Sequence, residues 1–251
     1  MQKKIRILLS TFTLLALLFA AMPAQPAYAA GISVDTNADT IDANGGTCTG
    51  MVIADLPGTD GDTSLREAIC AANGTAGADT ITFAADYTIT LGSQLPQITT
   101  EMTINGSGHT VTIDGDNTYR AFYIENTGNL TINTLTITKG FTASTSGFPV
   151  GYGGGILNDQ GTLKIINSTL SDNTAGLLGG GVLSIGGGTV TVSNSTFSGN
   201  SAGSGGGITN YNGTLAVSNS TFSDNSATLG TGGAIYNYQY DASGPATTTI
   251  T

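Results

Sequence analysis

A phrase of about 26 residues recurs along the second half of the chain and restricts the folds open to it. Four glycine-led segments stand 26, 26 and 27 residues apart: GGGILN (153–158), GGGVLS (179–184), GGGITN (205–210) and GGAIYN (232–237). Three further segments recur between them: TLKIINSTLSDN (162–173), TVTVSNSTFSGN (189–200) and TLAVSNSTFSDN (214–225). Repetition at a fixed period of this length is typical of solenoids and other repeat architectures.

Apolar and polar residues alternate within each repeat, as in Leu163, Lys164 and Ile165. This is the period of a β-strand, in which successive side chains point to opposite faces. The runs are short and end at Gly or Asn. Three short strands and three corners per repeat predict one coil of an all-β, right-handed parallel β-helix, whose coils stack about 4.8 Å apart.

Alignment of the repeats predicts which side chains lie above one another along the stack. The apolar columns are Leu163, Val190 and Leu215; Ile165, Val192 and Val217; Leu170, Phe197 and Phe222; and Ile156, Val182, Ile208 and Ile235. The polar columns are Asn167, Asn194 and Asn219, then Asn173, Asn200 and Asn225. One coil buries too little apolar surface to offset the entropy of ordering it, so neighbouring coils must stabilise one another. Hydrogen bonds between stacked asparagine amides would contribute.

The predicted β-helix occupies residues 101–251, with less regular coils at EMTINGSG (101–108), TVTIDGDN (110–117) and NLTINTLTITKG (129–140). Corner insertions interrupt it at 141–152 and 238–246. Thr248 and Ile250 fall in the columns of Leu215 and Val217, so the sequence stops in mid-coil. Because an open stack needs its end covered, we expect further coils or an anchor beyond residue 251.

Residues 30–100 form a predicted N-terminal cap region that contains a short helix at 64–73. Ser64 and Glu67 have the spacing of a capping box, and Gly74 supplies a stop. The apolar stripe of this helix consists of Leu65, Ala68, Ile69 and Ala72. A helix of this kind would cover the open end of the β-helix.

The first residues have the composition of a secretory signal peptide. A basic start, MQKKIR, is followed by the apolar run ILLSTFTLLALLFAAM and by small residues in AYA (27–29). We predict a signal peptide over residues 1–29 with cleavage after Ala29. A membrane anchor is the weaker alternative, because a span needs roughly 20 apolar residues. The predicted location is the cell surface, the outer membrane or the extracellular medium, with no transmembrane segment in the mature fragment.

After residue 30 the chain is strongly acidic, with seventeen acids against four bases and a net charge of −13. Such a surface repels nucleic acid and anionic lipid but tolerates calcium. We predict no cofactor, and calcium is the only alternative. Asp114 and Asp116 could bind it, although IDGDN (113–117) is also typical of a turn, and Asp60 and Asp62 make a weaker case.

Cys48 and Cys70 are the only cysteines. Two thiols in an exported chain most often pair, and closing their loop is worth about 3 kcal/mol. A metal site is the weaker alternative, because the single histidine, His109, lies far away in sequence. His109 itself is interpreted as a surface residue.

The repeats contain few candidates for catalysis. An eliminating lyase needs a strong base, and a glycoside hydrolase needs carboxylates within roughly 5–10 Å of each other. The repeats contain Lys164 but no arginine, and their acids are scattered: Asp159, Asp172, Asp224 and Asp241. Asp172 and Asp224 share a column, but Gly199 stands between them. We therefore predict no catalytic residue.

Three tyrosines alternate at the start of the last insertion and just before it: Tyr236, Tyr238 and Tyr240. On an extended segment they would share a face, where aromatic rings could stack on sugars. A partly buried tyrosine ladder with a purely structural role is an equally weighted alternative.

Two stretches resemble known families. TSLREAICAAN (63–73) resembles the CSLREA motif of exported bacterial proteins, with Thr63 in place of its first cysteine, and GADTITF (77–83) resembles the phrase that follows that motif. FSGN (197–200), FSDN (222–225) and GGAI (232–235) resemble the repeats of polymorphic outer membrane proteins. The two resemblances cover nearly all of the mature chain. They imply a pectin-lyase-like right-handed β-helix at the cell surface, and no catalytic residue.

The favoured interpretation is a non-enzymatic surface or secreted protein, an adhesin-like stalk or passenger domain that contacts a host or neighbouring cell surface or a glycan. The alternative is a polysaccharide-active lyase or glycosidase, or a glycan-binding protein, with its site partly in further coils.

Overall fold

The chain forms a parallel β-helix with a short helix near its N-terminal end. The computed structural model describes residues 29–143, 148–239 and 246–251. Residues 1–28 of the predicted signal peptide, together with Tyr240 and Asp241, lie outside the described residues. Within the described ranges the strands are numbered β1–β23 in chain order and form four parallel sheets, called A to D here.

Each sheet collects the equivalent strands of successive coils. Sheet A contains β1 (Gly31–Val34), β2 (Asp79–Phe83), β4 (Glu101–Asn105), β7 (Asn129–Asn133), β11 (Thr162–Ile166), β15 (Thr189–Ser193), β19 (Thr214–Ser218) and β23 (Thr247–Ile250). Sheet B contains β3 (Tyr87–Thr90), β5 (Val111–Asp114), β8 (Thr136–Thr138), β12 (Thr169–Ser171), β16 (Thr196–Ser198) and β20 (Thr221–Ser223). Sheet C contains β6 (Phe122–Ile124), β10 (Ile156–Asp159), β14 (Val182–Ile185), β18 (Ile208–Tyr211) and β22 (Ile235–Tyr238). Sheet D contains β9 (Phe141–Thr142), β13 (Thr174–Ala175), β17 (Ser201–Ser204) and β21 (Ser226–Thr231).

The predicted columns are confirmed by the strand register. In sheet A, Leu163 lies opposite Val190, which in turn lies opposite Leu215. The same in-register pairing holds for the other apolar columns in sheets A, B and C. Thr248 and Ile250 pair with Leu215 and Val217, as the alignment predicts. Stacking of like side chains buries one continuous core along the axis of the helix.

The coil differs from the prediction in two ways. A fourth short strand, the sheet D strand, lies between sheets B and C where three strands per coil were predicted. In addition, 101–108 and 110–117 supply two strands of one coil, β4 and β5, rather than two separate coils, because Glu101 pairs with Asn129 one full turn later. Sheet A also reaches into the predicted cap region, where β1 and β2 pair in parallel.

Polar side chains fill part of the interior. Asn173 and Asn200 are fully buried, and the amide of Asn200 also bonds that of Asn225. The other asparagine column behaves differently: Asn167, Asn194 and Asn219 are exposed corner residues with φ between 47° and 50°. Asparagine tolerates this left-handed conformation better than most residues, so the second column supports the corner through its backbone.

The predicted helix is present as α1 (Leu65–Gly74), and two short 3-10 turns at Ala43–Gly46 and Ile53–Asp55 precede it. Ser64 Oγ accepts a hydrogen bond from the backbone N–H of Glu67, whose carboxylate accepts one from the backbone N–H of Ser64. The helix packs against β1 and β2, with its apolar residues inside the core. Cys70 on α1 forms a disulfide with Cys48, their Cα atoms 5.0 Å apart. Burial of its apolar face therefore joins the helix to the stack, and the disulfide ties it to the loop that precedes it within the cap region.

Candidate functional site

Three tyrosines form an aromatic surface on the last two strands of sheet C. Tyr211 lies opposite Tyr238 in the register of β18 and β22, with ring centroids 5.3 Å apart and ring planes inclined by 45°. Tyr236 stacks on Tyr238 at 5.6 Å and 19°. Tyr238 is 37% exposed. We call these three residues the tyrosine surface.

The glycine runs before β18 and β22 position these tyrosines. Gly205 and Gly232 adopt φ of +64°, in the left-handed region that glycine enters without strain. A side chain at Gly232 would also collide with the backbone of Ile235. Each glycine run therefore starts its strand at the same point of the coil, and Tyr211 and Tyr238 come into register.

The tyrosine surface is the end of two longer columns on the outer face of sheet C. These columns are Tyr123, Leu157, Leu183, Thr209 and Tyr236, then Asp159, Ile185, Tyr211 and Tyr238. Leu157 and Leu183 are buried in a small cluster outside the main core, with Tyr152 and Leu178 packed against it. The outer face of sheet C thus changes along the stack from covered aliphatic residues to aromatic rings, of which Tyr238 is exposed and the other two are half-buried.

Sequence reasoning identified Tyr236 and Tyr238 but missed Tyr211. The missing signal was in the repeat itself, because ITNY (208–211) aligns with IYNY (235–238) and brings Tyr211 beneath Tyr238. Tyr240, the third predicted member, lies outside the described residues.

Arg120 is a buried cation that sequence reasoning did not single out. Its guanidinium donates to the carbonyl oxygens of Gly153, Pro149 and Tyr152 at 2.7 to 2.9 Å, and it lies 5.7 Å from the ring of Tyr123. Burial lowers the pKa of Arg120 to about 10, so the group stays charged at neutral pH. These bonds hold part of the 141–152 insertion against the coil, which is a structural role.

The calcium candidates are engaged in turns and an ion pair. Asp114 Oδ1 accepts the backbone N–H of Asp116 at 2.9 Å, and its Oδ2 lies 2.8 Å from Lys139 Nζ. This hydrogen bond raises the pKa of Lys139. Asp60 Oδ1 likewise accepts the backbone N–H of Asp62 at 2.9 Å. Within the described ranges, no three His, Cys, Asp or Glu side chains are grouped so as to hold a metal ion.

The acids and the base of the repeats lie at different corners of the coil. Asp172 and Asp224 follow β12 and β20 with φ of 55°, two coils or about 9.6 Å apart, on either side of Gly199. Asp159 ends a strand of sheet C, where it accepts a 3.3 Å hydrogen bond from Tyr123 Oη. Lys164 is exposed on sheet A between Thr131 and Thr191. His109 Nδ1 lies 3.4 Å from Asp86 Oδ1, an acid of the cap region rather than of the repeats. Within the described residues, Lys164 therefore forms no ion pair with any of these acids.

No helix in the described part of the chain is long and apolar enough to cross a membrane. In comparisons with known proteins, no family model, no curated protein and no solved structure matches this chain.

Proposed function

We propose that this chain is an exported, non-enzymatic β-helix protein of the cell surface or the extracellular medium, and that its tyrosine surface contacts a glycan. The observation that carries the proposal is the contact of the three rings on the outer face of sheet C, where Tyr238 is exposed and Tyr211 and Tyr236 are half-buried. Aromatic rings offer an apolar face to the C–H groups of a sugar, and the phenol adds a hydrogen bond at the edge.

Two further observations support export. The first 29 residues have the pattern of a signal peptide. The Cys48–Cys70 disulfide suits an oxidising compartment, because cytosolic thiols are kept reduced. The stalk or passenger role is supported by the regular stacking of coils, which builds a long rigid body from short repeats.

A polysaccharide-active enzyme is the second candidate, and one pairing of a lysine with an acid bears on it. Lys139 and Asp172 occupy successive coils at the end of sheet B, since the backbone N–H of Lys139 donates to the carbonyl of Ser171. Asp172 also contributes to the raised pKa of Lys139. A lysine whose pKa is raised holds its proton more tightly and is a poorer general base, so this juxtaposition supports binding better than elimination.

Glycan binding by the purified exported protein tests the proposal. A panel of polyuronates and neutral oligosaccharides is titrated against the wild type, Y238A and the double variant Y211A/Y238A. Loss of stacking is expected to weaken binding by about tenfold for the single variant. Y238F, which keeps the ring, should retain most of the affinity. K164A, on sheet A, is the matched surface control.

The same panel separates the two candidates. Repeated release of reducing ends or unsaturated products by the wild type, abolished in D172N or K139A, would overturn the non-enzymatic proposal. If the wild type and Y211A/Y238A bind every glycan with equal affinity, the tyrosine surface is not the glycan-binding site.

A further inference from the structure

Asp79 is a buried acid at the first position of β2. It is 1% exposed, and its Oδ1 accepts a 3.0 Å hydrogen bond from the backbone N–H of Ala30. Its other oxygen, Oδ2, is buried and has no hydrogen-bond partner among the described residues. None of the ion pairs in the described part of the chain includes Asp79. A buried carboxylate with one oxygen unpaired is costly unless a cation joins it.

Ala30 is held at this acid from two sides. Its carbonyl accepts a 2.8 Å hydrogen bond from the backbone N–H of Thr80, the residue after Asp79. Gly31, the next residue, begins β1 and pairs with Thr80 in sheet A. The nitrogen of Ala30 therefore enters the outermost strand of the sheet pointing at the Asp79 carboxylate.

The predicted cleavage point is the peptide bond whose nitrogen belongs to Ala30. Hydrolysis adds the hydroxyl of water to the carbonyl carbon of Ala29 and leaves the nitrogen of Ala30 as an amine, which binds a proton near neutral pH. One neutral N–H donor thus becomes a cationic group with three donors. That group has the charge and the donors that the unpaired oxygen of Asp79 lacks.

We propose that Asp79 is the binding site for the α-ammonium group of Ala30, which removal of the signal peptide creates. The site rests on the proposed export. Before processing, the amide of Ala30 supplies Asp79 with a single neutral hydrogen bond. After processing, the ammonium group bonds both carboxylate oxygens, and the first strand of the stack is anchored by a buried ion pair. Maturation therefore stabilises the capped end of the β-helix.

The test is a double-mutant cycle on the full gene, expressed in a bacterial host with a general secretory pathway. One added alanine between Ala29 and Ala30 leaves AYA in place for cleavage but moves the ammonium group one residue away from Asp79. Four exported proteins are compared: the wild type, D79N, the alanine insertion, and both changes together. Mass spectrometry establishes each N-terminus, and denaturant unfolding measures stability.

The ion pair predicts strong coupling between the two changes. In the background that keeps Asp79, the alanine insertion should raise the unfolding equilibrium constant. In the D79N background, the increase caused by the same insertion should be smaller by a factor of at least about ten. If the effects of D79N and of the insertion on the unfolding equilibrium constant are additive within about twofold, Asp79 does not bind the α-ammonium group.

A second readout does not require D79N to be stable. Acetylation of the α-amine at neutral pH should be about tenfold slower in the wild type than in the alanine insertion, since the buried ammonium group is shielded and stabilised in its charged form. Equal rates would contradict the site. A chain retained uncleaved in the cytoplasm would overturn the export proposal and the site together, whereas export with cleavage elsewhere would overturn the site alone.

Discussion

The side-chain amide of Asn173 donates a 2.9 Å hydrogen bond to Oδ1 of Asn200, one coil further along the stack, and both side chains are fully buried. Asn200 repeats the contact with Asn225 at the same distance. The amide of Asn200 also reaches the carbonyl of Leu170, so the ladder bonds to the backbone inside the coil as well. The side-chain amides of this column are satisfied by the equivalent residues of neighbouring coils, which is why the column must match in residue type.

Replacing Asn200 with alanine is expected to destabilise the protein by about 3 kcal/mol. The change leaves the backbone N–H of Asn173 and the carbonyl of Leu170 without their buried partners. Denaturant unfolding measures the loss. N194G is the matched control, because Asn194 lies in an exposed corner with φ of 50° that glycine adopts freely. A loss as large in N194G as in N200A would show that the buried ladder is not the cause.

Replacing Phe197 with alanine should cost about 3–5 kcal/mol, and replacing it with aspartate should cost more. Phe197 is fully buried and stacks on Phe222 with ring centroids 4.9 Å apart. An aspartate there would place a charge in the core without a partner. Thermal unfolding followed by circular dichroism measures the melting temperatures, which should be lowest in F197D, intermediate in F197A and highest in the wild type. An unchanged melting temperature in F197D would contradict the inward position of this column.

Replacing Arg120 with methionine should destabilise the protein and loosen the 148–153 segment. Three carbonyl oxygens lose a charged donor in this variant, at a cost of about 1–3 kcal/mol. Limited chymotrypsin cleavage after Tyr152, read by mass spectrometry, should become faster than in the wild type. K164M is the control, because Lys164 is exposed and its replacement should not change the cleavage rate.

Tyr123 makes the protein sensitive to alkali. Burial, with the nearby Asp159 carboxylate, raises the pKa of Tyr123 above its ordinary value. A group whose folded pKa is raised contributes stability below its unfolded pKa, near 10, and this contribution is lost as pH rises through the folded pKa. Between about pH 9 and pH 12, the free energy of unfolding should therefore fall more steeply in the wild type than in Y123F. Parallel curves for the two proteins would contradict this role.

The repeats made much of this fold predictable. A coil is stable only when its neighbours present matching strands, so the apolar and asparagine columns had to appear in the sequence at a fixed spacing. The helix was predictable for a local reason, since Ser64, Glu67 and Gly74 act within a few residues of one another. For these features the sequence by itself was sufficient, because the period and the caps are short-range patterns.

Other features depended on the tertiary structure. The sheet D strand forms from short, weakly patterned segments such as Thr174–Ala175, which pair only because the flanking sheets hold the coils in register. Arg120 finds its carbonyl partners across a corner whose path the repeat spacing does not encode. Ala30 meets Asp79 across 49 residues that include the whole of α1. Contacts of this kind arise when the chain closes a coil or a cap, so they follow from the three-dimensional path of the backbone rather than from any local sequence pattern.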